Sequence, residues 1–312
     1  PFFHRDRPDM SQSEPDPGHV SSSGDRSGDV SQEEPPAELP MGAVTVSVEA
    51  VLDGTAEELA RQAGADALVI DMKGDSGALG WKSGEAIARN VRANSQTENV
   101  NETLAQFLKE TQLYTVARLS CFKDGLVGAD SGCVLRDSGG NRWKDSDGAL
   151  WSTPENNAVR SYLARAAAEL AAMGFDEVIL ADVAHPVFAE PLEVIYTREL
   201  STTASTKTAV CGFAIYVANQ LDDRTGKLSI YCDTKPALVR ADDNGQDARL
   251  FMKIYDRVYL RTDKFAYPYN VDDIKDYIGN GKVNDRLVPV VENYLPDNSS
   301  WVLVDVAEDT KE

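Results

Sequence analysis

Eight short β-branched runs, separated by stretches of helical periodicity, constrain the fold of this chain more than any other feature. They are AVTVSVEA (43–50), ALVIDMK (67–73), YTVARLS (114–120), EVILADV (177–183), KLSIYCD (227–233), RVYLRTD (257–263), RLVPVVENY (286–294) and WVLVDV (301–306). Several are almost continuously apolar, as strands covered on both faces are. Between the third and fourth runs lies the clearest helix. Thr153 is a good N-cap and Pro154 suits the first turn; Val159, Leu163, Ala166, Leu170 and Met173 recur at spacings of three and four before Gly174 ends it. Further helices are expected at 55–64, 83–94, 101–112, 206–222, 246–255 and 270–279, with Gly226 and Gly281 as stops or turns. Strands and helices alternating over roughly 260 residues predict an α/β fold, a single (β/α)8 TIM barrel across 41–312, better than an open doubly wound sheet. Neither G-x-G-x-x-G nor a P-loop occurs, so no nucleotide cofactor is expected.

Residues 1–40 differ in character. SQSEPDPGHVSSSGDRSGDVSQEEPPAELP is Ser, Gly, Pro and acid with almost nothing to bury, so 1–40 is expected to be a disordered linker. A linker implies something on its far side, and an export signal or membrane anchor upstream of Pro1 is that expectation. The net charge of -20 argues against a nucleic-acid backbone or an anionic lipid surface as the main partner. No apolar run reaches the roughly 18 residues of a membrane span, and charges interrupt PFFHRDRPDM too early for a signal peptide. Cys121, Cys133, Cys211 and Cys232 lack C-x-x-C spacing, which argues against zinc; Cys121 and Cys133 could close a short loop, or all four could be buried thiols. His4 and His19 fall in the tail, which leaves His185 as the histidine for any folded site. One histidine is thin support for a mixed site with Asp182 and Asp71, and no metal is expected.

In barrels of this kind the working residues stand at the C-terminal strand ends and in the loops that follow. Here those ends read Glu49, Asp71, Asp124, Asp182, Asp233, Asp263, Glu292 and Asp305. Carbohydrate hydrolysis draws on such a set, with one carboxyl as acid and another as base or nucleophile. An acid at a strand end also caps the next helix or satisfies loop amides, and the chain carries 51 acids, so the count alone decides nothing. Trp81 follows the second run, Trp143 and Trp151 lie in the excursion RDSGGNRWKDSDGALW after the third, and Tyr267 and Tyr269 follow the sixth. Aromatic faces on such loops suit sugar rings, which present apolar faces and polar edges. Equally, Trp143 and Trp151 could pack the excursion onto the barrel.

Four segments, ALVIDMKGDSG, YTVARLSCFKDGLV, LRDSGGNRWKDSDGALWSTPENNAVRSYL and ELAAMGFDEVILADVAHP, resemble in this order the putative glycosyl hydrolase domain family. The resemblance is strong from about 43 to 186 and looser to about 306. It implies a TIM barrel of glycoside-hydrolase lineage in an anchored or secreted bacterial protein, acting on polysaccharide or cell-wall glycan, with the acidic tail as a spacer. At the second strand the family's VIDVKDDSG is matched from Val69 to Gly77, retaining Asp71 and Lys73; at the third, ARIVVFKD is matched in Ala117, Arg118, Phe122, Lys123 and Asp124. The fourth departs. Against FDEIQFDYVRFP, Ala181 stands at the family's presumed catalytic Asp, Asp182 at its Tyr, Ala184 at its Arg and His185 at its second Phe. Neighbouring strand residues point to opposite faces, so Asp182 takes over only if the strand end is re-aimed, as by a bulge. The family's fifth-strand Asp falls near Tyr231, with Asp233 two positions later on the same face; Glu292 and Asn293 stand where Gln and Asp would on the seventh.

The candidate catalytic residues are Asp71, Asp182, Asp233 and Glu292. The candidate substrate-binding residues are Lys73, Trp81, Lys123, Asp124, Trp143, Trp151, His185, Tyr231 and Arg261. Two functions stay open: a glycosidase with rearranged carboxylates, or a carbohydrate-binding or scaffold barrel that has lost hydrolysis, in either case at the cell surface. The N-x-S/T triplets at Asn101 and Asn298 matter only in a glycosylating host.

Overall fold

The computed structural model describes residues 41–130, 132–137, 139–186, 194–195, 206–233, 244–261, 286–292 and 300–304. Its strands in chain order are β1 (Gly42–Ser47), β2 (Ala67–Lys73), β3 (Tyr114–Ser120), β4 (Arg136–Asp137), β5 (Glu177–Ala181), β6 (Val194–Ile195), β7 (Lys227–Asp233), β8 (Val258–Arg261), β9 (Leu287–Val291) and β10 (Trp301–Leu303). All but β4 and β6 run parallel and close into a barrel in which β10 pairs back onto β1. The (β/α)8 barrel expected from the sequence is the fold observed, and each of the eight runs supplies one of its strands. β4 and β6 form a separate antiparallel pair that ties the excursion after β3 to the segment after β5.

The helices are α1 (Val48–Leu52), α2 (Ala56–Ala63), α3 (Ala86–Asn90), α4 (Val100–Glu110), α5 (Asn157–Met173), α6 (Thr206–Gln220) and α7 (Ala248–Ile254). Most boundaries shift by a residue or two from the sequence reading, and three of the differences have a local reason. The first run stops at Ser47, whose hydroxyl accepts from Ala50 N–H and opens α1, so Glu49 lies in a helix and not at a strand end. α5 starts later than Thr153, because Asn156 is the residue whose Oδ1 accepts from Ala158 and Val159 N–H. The stretch 83–94 shortens to α3, since Arg92 adopts φ 58° just beyond it. Gly174 ends α5 as expected, at φ 111°. The linker 1–40, the helix at 270–279 and residues Asp263, Tyr267, Tyr269, Asn293, Asn298 and Asp305 lie outside the described residues.

Alternation along the strands sorts the core into two layers. Leu68, Ile70, Ala117, Leu119, Val178, Leu180 and Ile230 face outward onto Leu104, Tyr162, Leu163, Leu170 and Phe213 of the helices. Val69, Val116, Ile179, Tyr259, Val290 and Val302 fill the interior. At the N-terminal end of the barrel the buried Glu177 accepts from Arg257 Nη1 at 2.5 Å, Tyr259 OH at 2.8 Å and Tyr114 OH at 3.0 Å. That network plugs the lower end, so the interior opens at the C-terminal strand ends.

Candidate functional site

A cavity of about 420 Å³ opens there, with Val69, Ile179, Tyr259, Val290 and Val302 among its floor residues. The side chains one inward step further along the strands form its wall. Asp71 stands two residues beyond Val69, Arg118 two beyond Val116, Arg261 two beyond Tyr259 and Glu292 two beyond Val290. All four line the cavity, together with Asp75, Lys123, Asp182 and Tyr231.

On β5 the inward step falls on Ala181, which is buried. The next residue, Asp182, turns back by adopting φ 52°, a left-handed conformation that Asp tolerates better than most side chains. Its carboxyl therefore reaches the cavity wall from a position that a regular strand would direct outward. Asp182 Oδ2 lies 2.6 Å from Ser120 Oγ and 3.5 Å from Arg118 Nη2, while Asp71 Oδ1 accepts from Arg118 Nη1 at 2.9 Å. One guanidinium thus holds two carboxyls, with its own Cζ 6.0 Å from the centre of the Tyr231 ring.

Asp233 lies beside this group at the end of β7. Although it keeps solvent access, its carboxyl is raised above the ordinary Asp range, first by burial and then by the negative charge of Asp182, against the pull of Arg261 and Lys123. Asn244 Nδ2 approaches its Oδ2 at 3.4 Å, and its N–H donates to Gln246 Oε1 at 2.9 Å. Glu292 pairs with Arg261 at 3.1 Å at the rim, where both side chains are more than half exposed. Lys123 Nζ gathers Asp145 at 3.3 Å, Asp147 at 3.5 Å and Asp75 at 3.9 Å.

The other expected site residues are placed elsewhere, each for a physical reason. Lys73 shares strand parity with Asp71, but the β2–β3 register shifts between them. Its ammonium turns under the wall, where it is fully buried, 2.8 Å from Asp124 Oδ2 and 2.6 Å from the Ser120 carbonyl. Asp124 is equally buried, and its Oδ1 accepts from Leu126 and Val127 N–H at 2.9 and 2.7 Å. Trp81 is buried behind the barrel wall, and its indole N–H donates to Glu169 of α5 at 2.9 Å. Trp151 is buried with its N–H on Asp145 at 2.9 Å, and half-buried Trp143 packs against the same core, so both hold the excursion in place. His185 is 2 % exposed, with Nε2 3.0 Å from Glu155 Oε1. Glu155 is itself held below the ordinary Glu range: burial opposes this, and the hydrogen bond and charge of His185, with the Thr153 hydroxyl, outweigh it. Among the described residues no group of three or more His, Cys, Asp or Glu is arranged to hold a metal ion, and no helix is long and apolar enough to cross a membrane.

Sequence reasoning matched Arg118 to the family's third-strand motif without naming it a site residue, and passed over Ser120. The signal was present in YTVARLS, where an apolar strand turns polar at two alternate positions near its C-terminal end.

Comparison with known proteins adds the lineage. The barrel matches a hypothetical protein from Ruminiclostridium thermocellum ATCC 27405 with a TM-score of 0.50 at 23% identity, covering 60% of this chain and 96% of that one. It matches the PgaB (BpsB) glycoside hydrolase domain from Bordetella bronchiseptica with a TM-score of 0.57 at 13% identity, covering 85% and 94%. At these identities the likeness is one of fold. No curated protein sequence matches the chain. The family described as "Putative glycosyl hydrolase domain" matches residues 42–259, from β1 into β8. With that match spanning most of the chain and every strand end that supplies Asp71, Arg118 and Asp182, the chain belongs to the putative glycosyl hydrolase domain family.

Proposed function

We propose that this barrel hydrolyses a glycosidic bond of a polysaccharide or cell-wall glycan, using Asp71 and Asp182. The observation that carries this reading is the single guanidinium of Arg118 between the two carboxyls on the cavity wall. Two carboxyl oxygens that both reach one guanidinium lie closer than the upper limit of about 9.5 Å for the paired carboxyls of glycoside hydrolysis. In that chemistry one carboxyl gives its proton to the leaving oxygen as the C–O bond breaks, and the other, as carboxylate, faces the positive charge developing at the anomeric carbon. Water forms the new C–O bond there as its proton passes to a carboxylate. Asp233, raised above the ordinary Asp range by burial first and then by the Asp182 charge, adds a third carboxyl beside the pair.

The test is release of reducing ends from a panel of polysaccharides that includes peptidoglycan. Asp71→Asn and Asp182→Asn are expected to lower kcat by about 10²- to 10⁴-fold, whereas Glu292→Gln, at the exposed rim, changes it little. Wild-type turnover by Asp182→Asn would overturn the reading. A second reading, glycan binding without hydrolysis, is favoured by Ala181 at the inward position on β5. It requires that no polysaccharide be turned over and that sugar binding survive Asp182→Asn. For location, the Ser/Gly/Pro-rich acidic stretch 1–40 supports a spacer role at the cell surface; recovery of the protein in the cytosolic fraction of its host would refute it.

A further inference from the structure

Ser120 ends β3 and is fully buried. Its Oγ lies 2.6 Å from Asp182 Oδ2 and 2.9 Å from the carbonyl oxygen of Lys123. A serine hydroxyl has one proton to donate. When Asp182 is ionised both neighbours are acceptors, and only one can be served. When Asp182 carries a proton on Oδ2, the three groups form a complete chain in which Asp182 donates to Ser120 and Ser120 donates to the Lys123 carbonyl. The shorter separation fits an O–H group facing a carboxylate and the longer one an ordinary O–H···O bond, so either orientation is reached by turning the hydroxyl alone.

Asp71 is held differently. Its side-chain partner, Arg118, can only donate, so this contact offers Asp71 no acceptor to which a proton of its own could be passed. Around Asp182, Arg118 faces it from β3, Asp233 and Tyr231 from β7, and Lys123 and Cys121 from the loop after β3. Among the described residues Ser120 is the one at hydrogen-bond distance from its carboxyl that both donates and accepts.

We propose that Ser120 is a positioning residue whose hydroxyl reverses as Asp182 gains or loses a proton, which fits Asp182 to be the proton-exchanging carboxyl of the pair. The catalytic role of Asp182 rests on the glycosidase reading; the reversal of the hydroxyl does not.

The experiment follows the full chain, carrying ¹³C in the Asp carboxyls and Lys carbonyls, by NMR through a pH titration. The Asp182 signal is identified by its loss in Asp182→Asn, and the Lys123 carbonyl by its loss in Lys123→Arg. In the wild type the Lys123 carbonyl should titrate with the same midpoint as the Asp182 carboxyl, because it gains its hydrogen bond when Asp182 is protonated. Ser120→Ala should keep the carboxyl titration while the Lys123 response loses most of its amplitude, and Ser120→Thr, which retains a hydroxyl on a residue suited to a strand, should restore it. A Lys123 carbonyl indifferent to Asp182 in the wild type, or equally responsive in Ser120→Ala, would overturn the proposal. With an active substrate in hand, the pH–rate profile should shift in Ser120→Ala and return in Ser120→Thr. Coupling without turnover of any glycan would sink the glycosidase reading and leave the hydroxyl reversal standing; turnover without coupling would do the opposite.

Discussion

Lys73→Met separates a structural role from a substrate-binding one. The Lys73 ammonium and the Asp124 carboxyl are 2.8 Å apart and almost wholly removed from solvent. Methionine keeps much of the stem's volume and deletes the charge. What remains is a buried Asp124 whose Oδ1 still accepts from Leu126 and Val127 N–H and whose Oδ2 has lost its ion-pair partner. Removing one member of a buried pair costs about 3–5 kcal/mol, because the other charge stays behind. For a barrel of this size that corresponds to a fall in Tm of roughly 5–9 °C. The assay is urea unfolding followed by fluorescence and by circular dichroism, whose midpoints must coincide before a free energy is taken. The double variant Lys73→Met/Asp124→Asn removes the stranded charge while its amide oxygen can still serve the two N–H groups, so it should recover part of the loss. A loss below about 1 kcal/mol for Lys73→Met, the range of an exposed pair, or a double variant that merely adds the two single losses, would refute the reasoning. Unchanged stability with a raised KM would restore Lys73 to the substrate.

Three further outcomes follow from the same geometry. Gly77 has φ 85°, and a Cβ there would lie 2.1 Å from Asp124 Oδ1; Gly77→Ala should cost more than about 1 kcal/mol in unfolding free energy, and an unshifted midpoint would mean the turn is not held by Asp124. Trp81→Phe should lose about 1.5–3 kcal/mol with the hydrogen bond to the Glu169 carboxylate and leave oligosaccharide affinity unchanged by calorimetry, whereas weaker binding at full stability would return Trp81 to the mouth. Burial first, and then the Asp182 charge, raise the Asp233 carboxyl, so its favourable contribution is complete below the unfolded value near 3.8 and disappears as pH rises through the folded one. Asp233→Asn, which cannot ionise, should therefore be more stable than wild type at pH 7 and not at pH 3, and parallel pH–stability curves for the two proteins would contradict this.

The strands were legible because burial on both faces leaves long β-branched runs, and the wall acids were legible because period-two alternation carries from Val69 to Asp71 and from Val290 to Glu292. What could not be read is whatever depends on a partner far along the chain. Trp81 finds Glu169 across 88 residues, His185 finds Glu155 across 30 and Lys73 finds Ser120 across 47. Residue type announced a polar or aromatic anchor at each position but not the side of the wall on which it would be fastened. Lys73 is the sharpest instance: parity alone places it beside Asp71, and one register irregularity takes it beneath the surface.

The end of β5 shows the converse, a residue that parity excludes and backbone geometry admits. In a regular strand Asp182 follows inward-facing Ala181 and points away from the cavity. A left-handed residue costs about 1–2 kcal/mol, reduced for Asp, whose short side chain bonds locally. Against that cost stand the hydrogen bond from Ser120 at 2.6 Å, worth about 1.5–3 kcal/mol when its acceptor is charged, and the bond from Phe122 N–H to the Asp182 carbonyl at 3.2 Å. The balance favours the turned conformation, so a carboxyl displaced by one position along the chain still arrives on the same wall. Its angle of approach differs from that of a strand residue, because it comes from above Ala181 and is tied to β3 through Ser120 and Arg118. Arg118 and Ser120 are therefore what the displacement leans on: β3 offers the guanidinium and the hydroxyl that meet the displaced carboxyl, with the charge of Lys123 beside them.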